Sequence, residues 1–186
     1  MPSGLWMKRC RLHIFGASGS GTTTLARAVA DAWSVPHADS DDYFWVPTDP
    51  PYRQQRAPAA RTMLMNQVFV PRKAWVLSGS VQGWGEEVLS QCDAFVFLTL
   101  DPQVRLRRLA EREKQRLSGQ SLELGALEQF MAWAAGYDDP DFSGRSRARH
   151  EAWLENEVRP VLRLDSARSV AQLLQAIVDW ESAGPR

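Results

Sequence analysis

Short apolar runs alternate along this chain with stretches whose apolar residues recur every three or four positions. The first run, 11–15, passes into a glycine-rich turn and then into a stretch with Leu25, Val29 and Trp33 on one face, which predicts strand, loop and a helix over 23–33. Pro36 forbids that helix from continuing, and a short strand is expected around 37–38. Residues 59–70 are helical in composition, and 74–78 read as a central strand. The run 94–100 is continuous and apolar, as a strand covered on both faces must be. Asp101-Pro102 then opens a helix over 102–117, with proline at its first position. A break at 117–120, a helix over 123–136, a loop at 137–141 and a helix opened by 143–150 and reaching 157 follow. The run 161–164 is the last strand, and Val170, Leu173, Leu174, Ile177 and Val178 form the apolar stripe of a closing helix. Strands and helices alternate throughout, so the expected fold class is α/β, a parallel sheet covered on both faces.

The turn after the first strand carries the most chemistry. Glycines at 16, 19 and 21 remove the Cβ atoms that would stop the backbone curling round a phosphate, so successive N–H groups turn inward at a helix N-terminus. Gly16, Ala17, Ser18, Gly19, Ser20, Gly21, Thr22, Thr23 and Thr24 are therefore the expected nucleotide-binding residues, with the Thr23 hydroxyl placed to hold Mg²⁺. The spacing is that of G-x-x-x-x-G-K-[ST], except that position 22 is threonine. The usual lysine brings a charge-assisted hydrogen bond worth about 1.5–3 kcal/mol, whereas Thr22 offers a neutral hydroxyl. Phosphate binding is better supported than rapid phosphoryl transfer; a glycine turn that binds nothing is the plain alternative.

The strand at 37–38 delivers Asp39-Ser40-Asp41-Asp42 to the carboxyl edge of the sheet, where open α/β sheets bind ligands. Asp39 is expected near the metal and Asp41 on the hydroxyl of a phosphoryl acceptor. The alternative is a solvated acidic turn in which an aspartate, Asp42 foremost, caps the next helix. Tyr43-Phe44-Trp45 and the proline-rich 47–58 form either an acceptor wall or core packing. Arg53, Arg56 and Arg61 lie on the acceptor side, with Arg56 assigned to substrate binding against the alternative of exposed arginines without a role. Ser78-Gly79-Ser80 makes a second small-residue turn beside the first, where a ligand can approach Gly79. Asp101 is a helix cap or, alternatively, a Walker B-like carboxylate. Arg105, Arg108, Arg112 and Arg116 share helical faces, a repulsion relieved by a bound polyphosphate or by Glu111 and Glu113. Arg145, Arg147 and Arg149 cannot all share one face, and His150 reads as packed or exposed rather than catalytic.

Composition narrows the rest. With 186 residues, 44% of them hydrophobic, one domain over 1–186 is expected. A formal net charge of zero steers the chain to neither nucleic acid nor an anionic membrane. Only Lys8, Lys73 and Lys114 are lysines, so any anion clamp is built from guanidinium groups. Cys10 and Cys92 read as buried free thiols of a reducing compartment. No apolar run approaches the ~20 residues of a membrane span and no signal-peptide pattern opens the chain, so a soluble cytoplasmic protein is expected.

On the 16–23 loop, the Asp39-Ser40-Asp41 segment, the 78–80 turn and the arginine-rich segment before the last strand, the chain resembles the adenylate-kinase/shikimate-kinase branch of the P-loop small-molecule kinases over nearly its whole length. The resemblance implies a three-layer P-loop fold with a five-stranded parallel sheet of order 2-3-1-4-5 and a helical lid over about 105–149. It places Asp39 at the metal, Asp41 on the acceptor hydroxyl and Gly79 on the acceptor, and has lid arginines, Arg112 among them, act on the phosphates. ATP or GTP, Mg²⁺ and a small metabolite or nucleotide are the implied ligands, with no nucleic-acid or membrane partner. The threonine at 22 is similar to a minority with G-T-T, including some cytidylate-kinase-like sequences. It leaves a nucleotide-binding regulator, as among topology-modulation-like proteins, as the alternative function.

Overall fold

The computed structural model describes residues 9–49, 51–116 and 124–180. The expected break at 117–120 lies outside the described residues. Five strands, β1 (Arg11–Gly16), β2 (His37–Asp39), β3 (Trp75–Ser78), β4 (Ala94–Thr99) and β5 (Val161–Asp165), form one sheet of order β2-β3-β1-β4-β5. Every neighbouring pair is parallel, with Leu12 opposite both Val76 and Ala94 at the centre. The expected strand order is the observed one.

Alternation along β1 separates two cores. Leu12 and Ile14 face α1 (Thr22–Trp33) and α8 (Val170–Asp179), packing with Leu25, Val29, Trp33, Leu173 and Ile177. Phe15 faces the other way, onto Trp75, Leu77, Phe95 and Phe97. That side is closed by Met65 of α3 (Pro58–Val68), Leu89 of α4 (Glu86–Leu89) and Leu154 of α7 (Arg147–Glu155). Burying each such side chain contributes about 1.5–3 kcal/mol, which fixes the register and with it the carboxyl edge. His13 lies in this second core, fully enclosed beside the Phe15 and Phe95 rings.

Local signals explain the boundaries. α1 ends where Ser34 turns left-handed (φ 53°) ahead of Pro36. Asp101 caps α5 (Pro102–Arg116), its Oδ1 accepting from the amides of Gln103 and Val104 at 3.0 Å each, so the capping reading of this residue holds. Two helices went unforeseen, α2 (Ser40–Phe44) and α4, both too short to show periodicity. The aspartate that caps α2 is Asp39, not Asp42. The helix expected from 143 begins only at Arg147, because Ser146 is its cap and accepts from the Arg149 amide. Between α6 (Leu124–Ala135) and α7 lies a short 3₁₀ turn, Gly136–Asp138.

The outer strands are β2, three residues long, and β5, which carries the exposed Arg163 at its middle. Arg163 pairs with Glu151 at 2.7 Å and lies over the Phe97 ring. Among the described residues no helix is long and apolar enough to cross a membrane.

Candidate active site

The loop between β1 and α1 is shaped by its own serine. Ser20 is buried, and its amide and hydroxyl both donate to the Ala17 carbonyl, at 3.1 and 2.8 Å. The Ser166 hydroxyl, beyond β5, donates to the Ser20 carbonyl at 2.5 Å. Gly21, at φ 88°, turns the chain into α1 in a conformation that side chains oppose. No side chain caps α1, so its first-turn amides face the same hollow as the loop.

Asp39 joins this loop to the acidic segment. Its Oδ2 accepts from the Thr23 hydroxyl at 2.8 Å and its Oδ1 from the Asp41 amide at 3.1 Å. A hydroxyl and a carboxylate this close make a hard oxygen pair of the kind Mg²⁺ takes alongside phosphate oxygens and water. Among the described residues no group of three or more His, Cys, Asp or Glu side chains could hold a metal ion. Asp41 reaches solvent at its tip, with neighbouring residues crowded around it. The surrounding walls thin its hydration and Asp39 repels it, so its carboxyl is pushed above the usual range, with Arg145 and Arg112 opposing.

The second small-residue turn abuts this segment. Gly79 has φ 89°, and a Cβ there would collide with the Ser40 hydroxyl, so the end of β3 and the start of α2 meet because position 79 has no side chain. Its carbonyl accepts from His13 Nε2 at 2.7 Å, which leaves His13 Nδ1 unprotonated and without a partner in the core. Burial drives the His13 pKa down to about 4. Next along, Ser80 Oγ donates to Gln82 Oε1 at 2.7 Å and accepts from His150 Nε2 at 3.1 Å. His150 Nδ1 accepts from the Tyr137 hydroxyl at 2.8 Å. His150 is thus a buried bridge between the 79–82 turn and the 137–150 segment. Burial first, then Arg145 and His13, takes its pKa down to about 3. A lone histidine 70 residues from Ser80 gave no sign of this bridge.

The arginines divide by partner. Arg105 is enclosed, donating to the Ser18 carbonyl at 3.1 Å, the Ala134 carbonyl at 3.0 Å and Asp138 at 2.8 Å. Asp138 also holds Arg147, at 3.0 Å. Arg108 donates to the Ser166 carbonyl. Arg112 and Arg116 share the buried Glu113, at 3.1 and 2.6 Å, so the crowded charge of α5 is relieved there by a carboxylate. Arg145 differs. Its Nη2 donates to the Ser18 hydroxyl at 2.5 Å, its guanidinium lies over Trp133, and its enclosed Nε has no hydrogen-bond partner. An unmet buried donor costs about 1–3 kcal/mol.

Arg56, expected to bind substrate, donates to the carbonyls of Tyr43 and Trp45, at 3.0 and 3.2 Å, and so braces its own loop. Arg61 lies 3.8 Å from the centre of the Phe44 ring and faces Trp84 as well. Tyr43 packs in the core against Phe69, while Phe44, Trp45, Tyr52 and Trp84 form a connected aromatic cluster outside it. A separate pocket of about 190 Å³, lined by Thr99, Asp101, Arg147 and Asp165 among others, includes none of the loop. It is below the ~300 Å³ of ordinary ligand sites.

The glycine-rich loop leaves the central strand beside the Asp39–Asp41 segment that ends β2, and a sheet of this order with helices on both faces is the fold of P-loop kinases such as gluconokinase and shikimate kinase. A gluconokinase from Sinorhizobium meliloti 1021 superposes with a TM-score of 0.52 and 18% identity, covering 91% of this chain and 89% of that one. A shikimate kinase from Bacteroides thetaiotaomicron does so with a TM-score of 0.55 and 20% identity, covering 90% and 96%. By sequence the chain belongs to the family of the uncharacterized protein YqaC of Bacillus subtilis (strain 168), with 37% identity over 176 residues, 92% of this chain and 97% of YqaC. A cytidylate kinase from Archaeoglobus fulgidus is 28% identical over 131 residues, 64% of this chain and 71% of its own. No protein-family model matches the sequence.

Proposed function

We propose that the protein is a cytoplasmic kinase, one P-loop domain over 1–186 with a lid at 105–149, that transfers the γ-phosphoryl group of ATP or GTP to a small molecule. The observation that carries this reading is the hydrogen-bonded run from Thr23 through Asp39 to Asp41, which sets a metal-type oxygen pair next to a carboxylate of raised pKa. The amides of 16–24 bind the phosphates. Thr23 and Asp39 would hold Mg²⁺, which when bound would supply neutralisation of the phosphate charge. Asp41 orients the acceptor hydroxyl and takes its proton as that oxygen bonds to the γ-phosphorus and the β–γ bridging bond breaks, releasing the diphosphate. A carboxyl pushed above its usual range matches that proton better than an ordinary aspartate does. Gly79 and Arg56 border the acceptor.

Thr22 favours a second reading, a regulator that binds nucleotide with little turnover. The test is diphosphate formation from Mg·ATP and Mg·GTP with a panel of acceptors: nucleoside monophosphates, cytidylate first, then gluconate and shikimate. Acceptor-stimulated turnover that disappears in Asp41→Asn supports the kinase. Tight Mg·ATP binding with no turnover on any acceptor, and turnover appearing in Thr22→Lys, supports the regulator.

A further inference from the structure

We propose that Arg145 supplies, from outside the loop, the positive charge that position 22 lacks. This rests on the nucleotide-binding reading above and names the residue that completes that site.

Each other arginine placed around the loop is already committed. Arg105 is fixed by two carbonyls and Asp138, Arg147 by Asp138, Arg112 and Arg116 by Glu113, and Arg108 by the Ser166 carbonyl. Arg145 alone of these touches a side chain of the phosphate loop, and no carboxylate among the described residues pairs with it. Its contact is with a neutral hydroxyl, Ser18 Oγ, in the middle of the loop, and its Nε–H is enclosed and unmet. A guanidinium held over Trp133 in this way is oriented, but its charge is unanswered. A polyphosphate seated on the loop amides would answer it, and the fork of donors suits phosphate oxygens. Asp41 is the carboxylate whose charge acts on Arg145, so the two residues stand near enough for one phosphoryl group to engage both. This is the placement of an arginine finger supplied by the same chain. Arg145 precedes α7, whose cap is Ser146, and the Tyr137–His150 hydrogen bond fastens the same segment, so the side chain is held rather than trailing.

The test measures Mg·ATP and AMP affinity by titration calorimetry for wild type, Arg145→Met, Arg145→Gln and the double variant Thr22→Lys/Arg145→Met, each checked for a native melting transition without ligand. Loss of one charge-assisted contact predicts that both single variants lose about ten- to a hundred-fold in Mg·ATP affinity and change little toward AMP. The double variant is expected to regain most of that loss, because a lysine at 22 restores the charge from within the loop. Wild-type Mg·ATP affinity in both single variants, equal losses for Mg·ATP and AMP, or a double variant as weak as Arg145→Met overturns the assignment and leaves nucleotide binding standing. A wild-type protein that binds no nucleotide overturns the nucleotide reading itself, and the role of Arg145 with it.

Discussion

Asp41 follows Ser40, which abuts Gly79, and the two residues are sensitive for opposite reasons. Asp41→Asn keeps the size and removes the proton acceptor, so turnover is expected to fall by about 10²–10⁴ while the Mg·ATP-induced rise in melting temperature stays. Because burial and Asp39 raise the Asp41 pKa, the acid limb of turnover in wild type is expected above pH 4, the ordinary aspartate value. Gly79→Ala forces a Cβ onto Ser40 at a positive φ, and a loss of about 2–4 kcal/mol in urea unfolding is expected. The glycine spacing, Thr23 and the Asp39–Asp41 pair were readable because each obeys a local rule about backbone shape or charge. The pairing of Thr23 with Asp39 was readable only as an expectation of proximity, since strand order decides it. What the sequence could not show was which arginine faces the loop: all are alike as letters, and their partners, Glu113, Asp138 and the Ser166 carbonyl, are set by tertiary packing.

At the scale of elements, the segment from α5 to α7 is tied to the rest by two buried devices. Asp138 clamps Arg105 and Arg147 while Arg105 holds the Ser18 carbonyl. Asp138→Asn leaves an enclosed guanidinium short of its counter-charge and is expected to lower stability by about 1–3 kcal/mol, with higher protease sensitivity concentrated between α5 and α7. The other device is the Tyr137–His150–Ser80 chain. His150 and His13 stay neutral in the folded protein far below the ordinary value of 6.5. As pH falls from about 6.5 toward 4 the unfolded chain gains protons on these rings and the folded chain does not. Each ring therefore removes about 1.4 kcal/mol of stability per pH unit in that window, and the full contribution is present above it. His150→Phe fits the same cage of Phe15 and Phe97 without titrating. Its stability deficit against wild type is expected to shrink as pH drops from 6.5 to 4, and an unchanged deficit would contradict the link. Short α2 and α4 escaped the sequence reading because four or five residues hold barely one helical turn, and tertiary contacts rather than periodicity select them.

For the whole molecule, the long apolar β4 and the βα alternation made a parallel sheet legible, whereas its strand order came only from the resemblance to shikimate-kinase-like enzymes, because alternation alone does not choose among windings. A ligand that binds only the native state at a hundred times its dissociation constant adds about 2.7 kcal/mol. Mg·ATP at that excess is therefore expected to raise the melting temperature by about 5–10 °C in a chain of this size, and AMP less. The sheet also has two rims. The three-residue β2 offers little to a stranger, but β5 presents five residues, and there Arg163 puts a solvated cation in mid-strand, braced by Glu151. Edge pairing between copies would strip water from that cation, which opposes templating of one chain on another. An Arg163→Val chain is expected to refold normally at high dilution, yet to appear in light scattering as growing aggregates when concentrated. If it does, the Arg163–Glu151 pair guards the open rim of β5 against a second copy of the chain, a duty separate from anything the glycine loop does.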